Sequence, residues 1–231
     1  VRMLDGNDKL FGVEGGIGVI SSRLKIDGPI VKEKGSFTIS GRRTYADLFL
    51  KLSNDSVIRS TKLYFYDLNA KANYRINDKN RIFLSGYFGK DVLGFGSTFG
   101  IDWGNATGTL RWNHLFGSKL FSNTSVIFSN YNYNIHLSGT SKIKIISRIQ
   151  DWNAKMDFQY FANSKNRLKF GFNSIYHKII PGAVTLESST TKLSDKYSSE
   201  NAVYISNEYK SNTDFSIEYG LRGSFFSVLG P

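Results

Sequence analysis

Three histidines are the first place to look for chemistry, and each stands alone. His114, His136 and His177 have no carboxylate or second histidine at the spacing that gathers ligands around a metal. Each reads as a polar strand residue. Residues 94–100, GFGSTFG, have the glycine content of a phosphate loop but neither its lysine nor a helical sequel. Asn54-Asp55-Ser56, Asn105-Ala106-Thr107 and Asn123-Thr124-Ser125 match the glycosylation acceptor pattern, yet two of them fall in predicted strands and all three read as chance. No cysteine is present, which removes thiolate nucleophiles, thiolate metal sites and disulfides together. Carboxylates and serines are plentiful, but none sits in a nucleophile elbow or a paired acid/base motif. The expectation is a binding or conducting wall: not an enzyme, with no metal and no cofactor.

The elements that carry these residues are strands. In Lys62–Tyr74, Tyr64, Tyr66, Leu68, Ala70, Ala72 and Tyr74 fall on one side of an extended chain. Asp67, Asn69, Lys71 and Asn73 fall on the other. The pattern recurs in Asp102–Leu115, where Ala106, Gly108, Leu110 and Trp112 oppose Asn105, Thr107, Thr109, Arg111 and Asn113. It recurs again in Arg148–Phe161, where Trp152, Ala154, Met156, Phe158 and Tyr160 oppose Asp151, Asn153, Lys155, Asp157 and Gln159. Arg167–Lys178 repeats it with Leu168, Phe170, Phe172 and Tyr176 on the apolar side.

Read for period two, the chain gives about ten strands. They run from Glu14–Ile26, turning at Asp27-Gly28-Pro29, to Asp214–Phe226, with a short helix predicted in Ala46–Thr61. Tight turns at residues 77–80, 117–119, 163–166 and 211–213 alternate with longer connections at residues 90–100, 138–147 and 180–199. Strands of ten to fifteen residues fit a tilted crossing of a membrane, which takes about nine to eleven residues within the hydrocarbon. Soluble sandwiches use about five or six. Period alone does not separate a membrane wall from a soluble barrel, because inside and outside simply exchange. Position along the strand does: aromatics gather at strand ends, and Ala70, Ala72, Ala106 and Gly108 fill the middle, as expected for lipid-facing staves. No apolar run is long enough for a membrane-crossing helix.

The chain carries a formal net charge of +11, but its basic residues are scattered singly through strands and turns. That distribution argues against a nucleic-acid partner. The first residues, VRMLDGNDKLFG, have no basic start followed by an apolar stretch, so no signal peptide is expected within them.

Four long segments carry a resemblance. Gly16–Leu52 (GIGVISSRLKIDGPIVKEKGSFTISGRRTYADLFLKL), Leu63–Asp91, Trp103–Asn134 and Glu218–Pro231 resemble the barrel of TonB-dependent outer-membrane receptors of the Bacteroidetes. The members most similar have a carboxypeptidase-regulatory-like N-terminal domain and a plug. The resemblance implies an all-β fold: an antiparallel transmembrane β-barrel wall, part of a 22-stranded barrel, with short periplasmic turns and longer extracellular loops. Residues 1–231 are expected to be one partial barrel domain, with the plug and the later strands outside them. Function follows as import of a bulky nutrient (glycan, peptide or metal chelate) across the bacterial outer membrane. The implied partners are outer-membrane lipid, the remaining plug and barrel segments, TonB, and a surface lipoprotein of the SusD type. Two other readings stay open: a passive porin or structural barrel subunit of a secretion or gliding complex, and a soluble β-rich binding module.

On this register Trp103, Asn105, Asp151, Asn153 and His177 face the lumen near its outer mouth. They are either substrate contacts or ordinary polar groups of the wall. Tyr64, Tyr74, Trp112, Trp152, Tyr160 and Tyr176 are expected at the membrane interfaces.

Overall fold

The computed structural model describes residues 4–96, 98–138, 142–186, 189–211 and 215–230. Twelve strands and two short helices follow one another as β1 (Gly12–Ile17), β2 (Ser21–Val31), β3 (Gly35–Thr44), α1 (Ala46–Leu50), α2 (Ser56–Ser60), β4 (Lys62–Asn77), β5 (Asn80–Phe95), β6 (Phe99–Leu115), β7 (Leu120–Ser138), β8 (Lys142–Phe161), β9 (Asn166–Leu186), β10 (Ser189–Lys192), β11 (Lys196–Lys210) and β12 (Ser216–Val228). All pair antiparallel in one sheet. The order is a plain meander from β1 to β9, continuing to β11 and β12, with β10 folded back on β9. Sequential neighbours pair because each short turn returns the chain directly alongside itself.

The structure refines the predicted elements in two ways. Glu14–Ile26 is a hairpin, not one strand: Gly18 N–H donates to the Ser21 carbonyl at 2.8 Å, closing a turn through Val19 and Ile20. Asp27-Gly28-Pro29 lies within β2, and the chain turns at residues 32–34 instead, where Glu33 takes φ +61°. Apolar residues at the first turn hid it. The second refinement concerns residues 90–100, 138–147 and 180–199, read from sequence as loops. Most of them continue the ladders: β5 and β6 stay paired as far as Phe95 and Phe99. β8 and β9 stay paired as far as Ile143 and Leu186. Glycines and polar residues there looked like breakers, but a continuous cross-strand ladder satisfies their backbone groups. The predicted turn at 211–213 falls partly outside the described residues, as does the start of its strand at Asp214.

Between β3 and β4 a helical connection interrupts the meander. Asp55 caps α2, its carboxylate accepting from Val57 N at 2.7 Å and Ile58 N at 3.2 Å. Tyr45 N–H donates to the Ile20 carbonyl at 2.9 Å, and the Tyr45 hydroxyl donates to the Gly18 carbonyl. These bonds pin the β1–β2 turn against the start of α1.

A β-bulge bends β9 where Ile146 and Arg148 of β8 oppose Ala183 and Ile180. Gly182 adopts φ +114°, and a Cβ there would meet the Ile146 carbonyl oxygen at 1.8 Å. Gly182→Ala is therefore expected to destabilise the distal part of the β8–β9 hairpin by about 2 kcal/mol or more. Limited trypsin digestion reads it as faster nicking after Lys178 or Lys192; an unchanged cleavage pattern would contradict the bulge geometry.

The sheet has almost no apolar core. Among the described residues only Phe83 (8% exposed) and Ala202 (2%) are buried apolar side chains. The chain exposes 15076 Å², whereas a compact soluble monomer of 26.0 kDa would expose about 10,500 Å². What holds the sheet together is the ladder of backbone hydrogen bonds, supported by cross-strand side-chain pairs on its two faces.

Candidate functional site: the polar face of the wall

Cross-strand register sorts the side chains onto two faces, because directly opposed residues share a side. Ile39, Ala70, Gly86, Gly108, Phe128, Trp152 and Tyr176 form one row across β3–β9. Gly35, Tyr74, Ile82, Trp112, Thr124, Met156, Phe172 and Val203 form another, four residues along each strand. These rows make an apolar face that is widely exposed; Leu84 is 60% accessible and Trp152 56%.

Aromatic rings bound that face on two lines. On one, Phe128 meets Trp152 at 4.8 Å between centroids, and Tyr66 meets Phe88 at 6.0 Å. On the other, a chain runs from Trp112 through His114 and Phe116 to Phe158 and Phe170, at 5.2, 4.4, 6.4 and 5.1 Å. Of the aromatics singled out in the sequence, Trp152 and Tyr176 are direct partners on the first line. Tyr74 and Trp112 share a row on the second, and Tyr160 lies between Leu120 and Leu168 beside it. Tyr64 stands two residues beyond Tyr66, under the Arg43 guanidinium at 5.5 Å. Along a strand the lines are eight residues apart, Tyr66 to Tyr74 and Trp152 to Tyr160, or about 26 Å of extended chain.

The opposite face is polar. One of its rows contains Ser36, Asn73, Phe83, Arg111, Ser125, Lys155, Asn173 and Ala202. Asn73 Nδ2 donates to Ser36 Oγ at 2.8 Å. Charges along this face are paired across strands, Arg42 with Asp67 at 2.7 Å, Lys169 with Glu218 at 2.9 Å and Arg167 with Glu208, and along β8, Lys155 with Asp157 at 3.1 Å. The Tyr204 hydroxyl donates to Asp157.

Trp103, Asn105, Asp151, Asn153 and His177 all lie on this polar face. Asp151 and His177 oppose each other, with Nδ1 and Oδ1 2.7 Å apart, and Ser129 Oγ reaches Asp151 Oδ2 at 3.4 Å. Asn153 is the next residue of the same face along β8, and its Oδ1 is buried without a partner. Trp103 and Asn105 sit two strands away on β6, separated from Asp151 by Ser129, Tyr131 and Tyr133 of β7. At about 4.8 Å per strand that is roughly 10 Å, so the five form one patch of wall but not one contact cluster. Asp151, Asn153 and His177 stand midway along their strands, because β8 and β9 run on past the segment expected to end them.

A second group was not apparent from sequence. Lys71, Arg81 and Arg111 surround the Phe83 ring, at 5.8, 5.0 and 4.1 Å from its centroid. They line a trough of about 1080 Å³ together with Asn105, Thr107, Asn113 and, from ahead of β1, Leu4 and Asp5. Asp5 Oδ1 lies 2.6 Å from Lys71 Nζ. The signal was an aromatic residue on the polar side of β5, visible only once the register of that strand is fixed. Among the described residues no group of three or more His, Cys, Asp or Glu gathers at metal-binding distance, and no helix is long and apolar enough to cross a membrane.

No protein-family model matches the sequence, and no curated protein matches it. The fold is similar to that of solved outer-membrane receptors. A mutant of PfeA, the ferric enterobactin receptor of Pseudomonas aeruginosa, superposes with a TM-score of 0.67 at 10% identity, covering 95% of this chain and 39% of that one. BauA, the ferric preacinetobactin receptor of Acinetobacter baumannii, gives 0.65 at 10% identity, covering 90% and 40%. The chain thus spans about two fifths of each of these structures. At that identity the likeness establishes the fold: an antiparallel sheet of the kind that forms the wall of such receptor barrels.

Proposed function

We propose that this chain is a section of the barrel wall of a TonB-dependent transporter in a bacterial outer membrane, importing a bulky nutrient. The observation that carries the reading is the exposed apolar face between two aromatic lines, on a sheet with almost no core of its own. In water such a face is a liability. In a membrane it is the lipid-facing surface, with the aromatics at the interfaces and the polar face lining a lumen. Eight residues between the aromatic lines span roughly 20 Å across the membrane at the usual strand tilt, a little less than the apolar band of about 25 Å.

The similar solved receptors take ferric chelates, which supports a chelate as one class of cargo here. Lumen-facing Trp103, Asn105, Asp151, Asn153 and His177 are the proposed cargo contacts, acting by hydrogen bonding and stacking. The resemblance of Gly16–Leu52 and the three later segments to Bacteroidetes receptors adds a SusD-type surface lipoprotein as a proposed partner. TonB would act through a plug outside residues 1–231.

In the native host, deleting the gene is expected to abolish uptake of one nutrient class to the same extent as disabling TonB. Uptake that persists without TonB, with passive flux of small solutes through the purified protein, would instead identify a porin. A monodisperse species without detergent would support a soluble module.

A further inference from the structure

The cations of the apolar face gather at one of its ends. On β3–β9, among the described residues, they are Arg43, Lys62, Lys90, Lys144, Arg148 and Lys178. Each lies at or beyond the first aromatic line, and none lies at the second. Lys90 is paired with Asp102 at 3.0 Å and Lys178 with Asp195 at 3.2 Å. Arg43, Lys62, Lys144 and Arg148 are exposed, with no carboxylate within 4 Å among the described residues. β5–β9 run on past the first line, while the second ends in tight turns, so these cations mark the extracellular side of the wall. A plug in the lumen does not reach them, because they stand on the outward side of the sheet.

Beside Arg43 the apolar face is hollow. In the row Gly15, Leu24, Gly41 and Leu68 two of the four residues lack a side chain. The space over them, about 860 Å³, is bounded by Tyr66 and capped by Arg43. A Cβ at Gly41 would meet nothing closer than 3.7 Å, so the glycine leaves room that no neighbour fills. The Arg43 guanidinium lies over the Tyr64 ring at 5.5 Å, which holds it at the lip of the hollow. A further strand pairing with the free edge of β1 would lie in the plane of the sheet, beside the hollow and not over it. Apolar space facing lipid is filled by an acyl chain, since a void forfeits dispersion contacts. An arginine directly above that chain favours a headgroup bearing phosphate, which a guanidinium grips with two N–H groups at once.

We propose that this hollow is a binding site for a phosphate-bearing lipid of the outer leaflet, of the lipid A class. One acyl chain lies over Gly41 between Leu24 and Leu68, and Arg43 holds the phosphate above it. The inference rests on the reading of this face as lipid-facing and deepens it, naming the class of lipid and the place where it sits.

The test is native mass spectrometry of the full-length protein in nonionic detergent, titrated with diphosphoryl lipid A, with phosphatidylcholine and inorganic phosphate as comparisons. The wild type is expected to retain lipid A saturably, phosphatidylcholine more weakly and inorganic phosphate not at all. Arg43→Gln should weaken the first lipid A bound about tenfold, the scale of one lost charge-assisted pair. Gly41→Leu keeps every charge and fills the hollow, so a loss of about fivefold there separates a built site from general attraction to cations. Arg42→Gln removes a cation that faces the other way, onto Asp67 at 2.7 Å, and lipid affinity is expected to stay unchanged. Heat-modifiable gel migration checks that each variant folds. Arg43→Lys and Gly41→Ala are the milder replacements should either fail, and both are still expected to weaken binding. No saturable lipid A binding, equal retention of phosphatidylcholine, or wild-type affinity in Arg43→Gln or Gly41→Leu overturns the proposal. So does an equal loss in Arg42→Gln, which would show a response to net charge alone. Those outcomes leave the lipid-facing reading standing, whereas a protein that is monodisperse without detergent and retains neither lipid would remove both.

Discussion

Residues 1–231 produced alone and offered to phospholipid vesicles are expected to give no monomeric, protease-protected, heat-modifiable species. The reason lies at the two ends of the sheet. Among the described residues β1 pairs only with β2, and β12 only with β11. β12 is 13 residues long, so about six of its residues direct both backbone groups away from β11. Water satisfies such groups at the edge of a soluble sheet. Hydrocarbon does not, and at several kcal/mol for each unpaired group the open edge costs on the order of tens of kcal/mol. No side-chain contact in this sheet approaches that size. On the proposed membrane reading the edges are paired by further strands; the chain covers about two fifths of the receptor structures it resembles. Supplying the rest of the barrel as a second polypeptide is expected to restore the heat-modifiable species. A folded monomer from residues 1–231 without that partner would sink the reading of this sheet as an incomplete wall.

The two faces were legible in the sequence because a period of two survives any error in where a strand begins. β4, β6 and β8 were each sorted correctly from residue type alone, and their cross-strand register places the sorted sides together. Strand ends were not legible, for a physical reason. A strand in a soluble sheet stops where its face stops being buried, and that change is written in hydrophobicity. β5, β8 and β9 instead continue beyond the apolar face as ladders satisfied by backbone pairing, which leaves no mark in side-chain type. The Gly18 turn is not visible in the sequence because Val19 and Ile20 look like strand, and the bonds from Tyr45 that hold it reach back 25 residues to Ile20 and 27 to Gly18. The Asp151–His177 pair and the Phe83 group were illegible for the same underlying cause. Each depends on which residue faces which across strands, and that register is a property of the whole meander.

Ala70→Arg is expected to have the largest effect of any single substitution on the apolar face, because of where Ala70 sits along its strand. It lies four residues from Tyr66 and four from Tyr74, about 13 Å of strand from either aromatic line. A guanidinium there cannot reach an interface, and the cost is about 2–4 kcal/mol. Ala106 is also on the apolar face, but it opposes Phe88 on the first aromatic line. Arg at that position can lift its charge into the headgroups, and the expected cost falls to about 0–1 kcal/mol. Asn69, adjacent to Ala70 in sequence, points the other way and donates to Asp67 at 3.3 Å. Asn69→Arg puts the new cation near that carboxylate in a wet lumen, and is expected to change stability by less than about 0.5 kcal/mol. Equilibrium unfolding of the full-length protein in vesicles should therefore rank Ala70→Arg well above the other two. Equal destabilisation by all three would reject the assignment of faces. An Asn69→Arg that costs more than Ala70→Arg would show that lipid and lumen are exchanged, since only burial of the polar face makes that order possible.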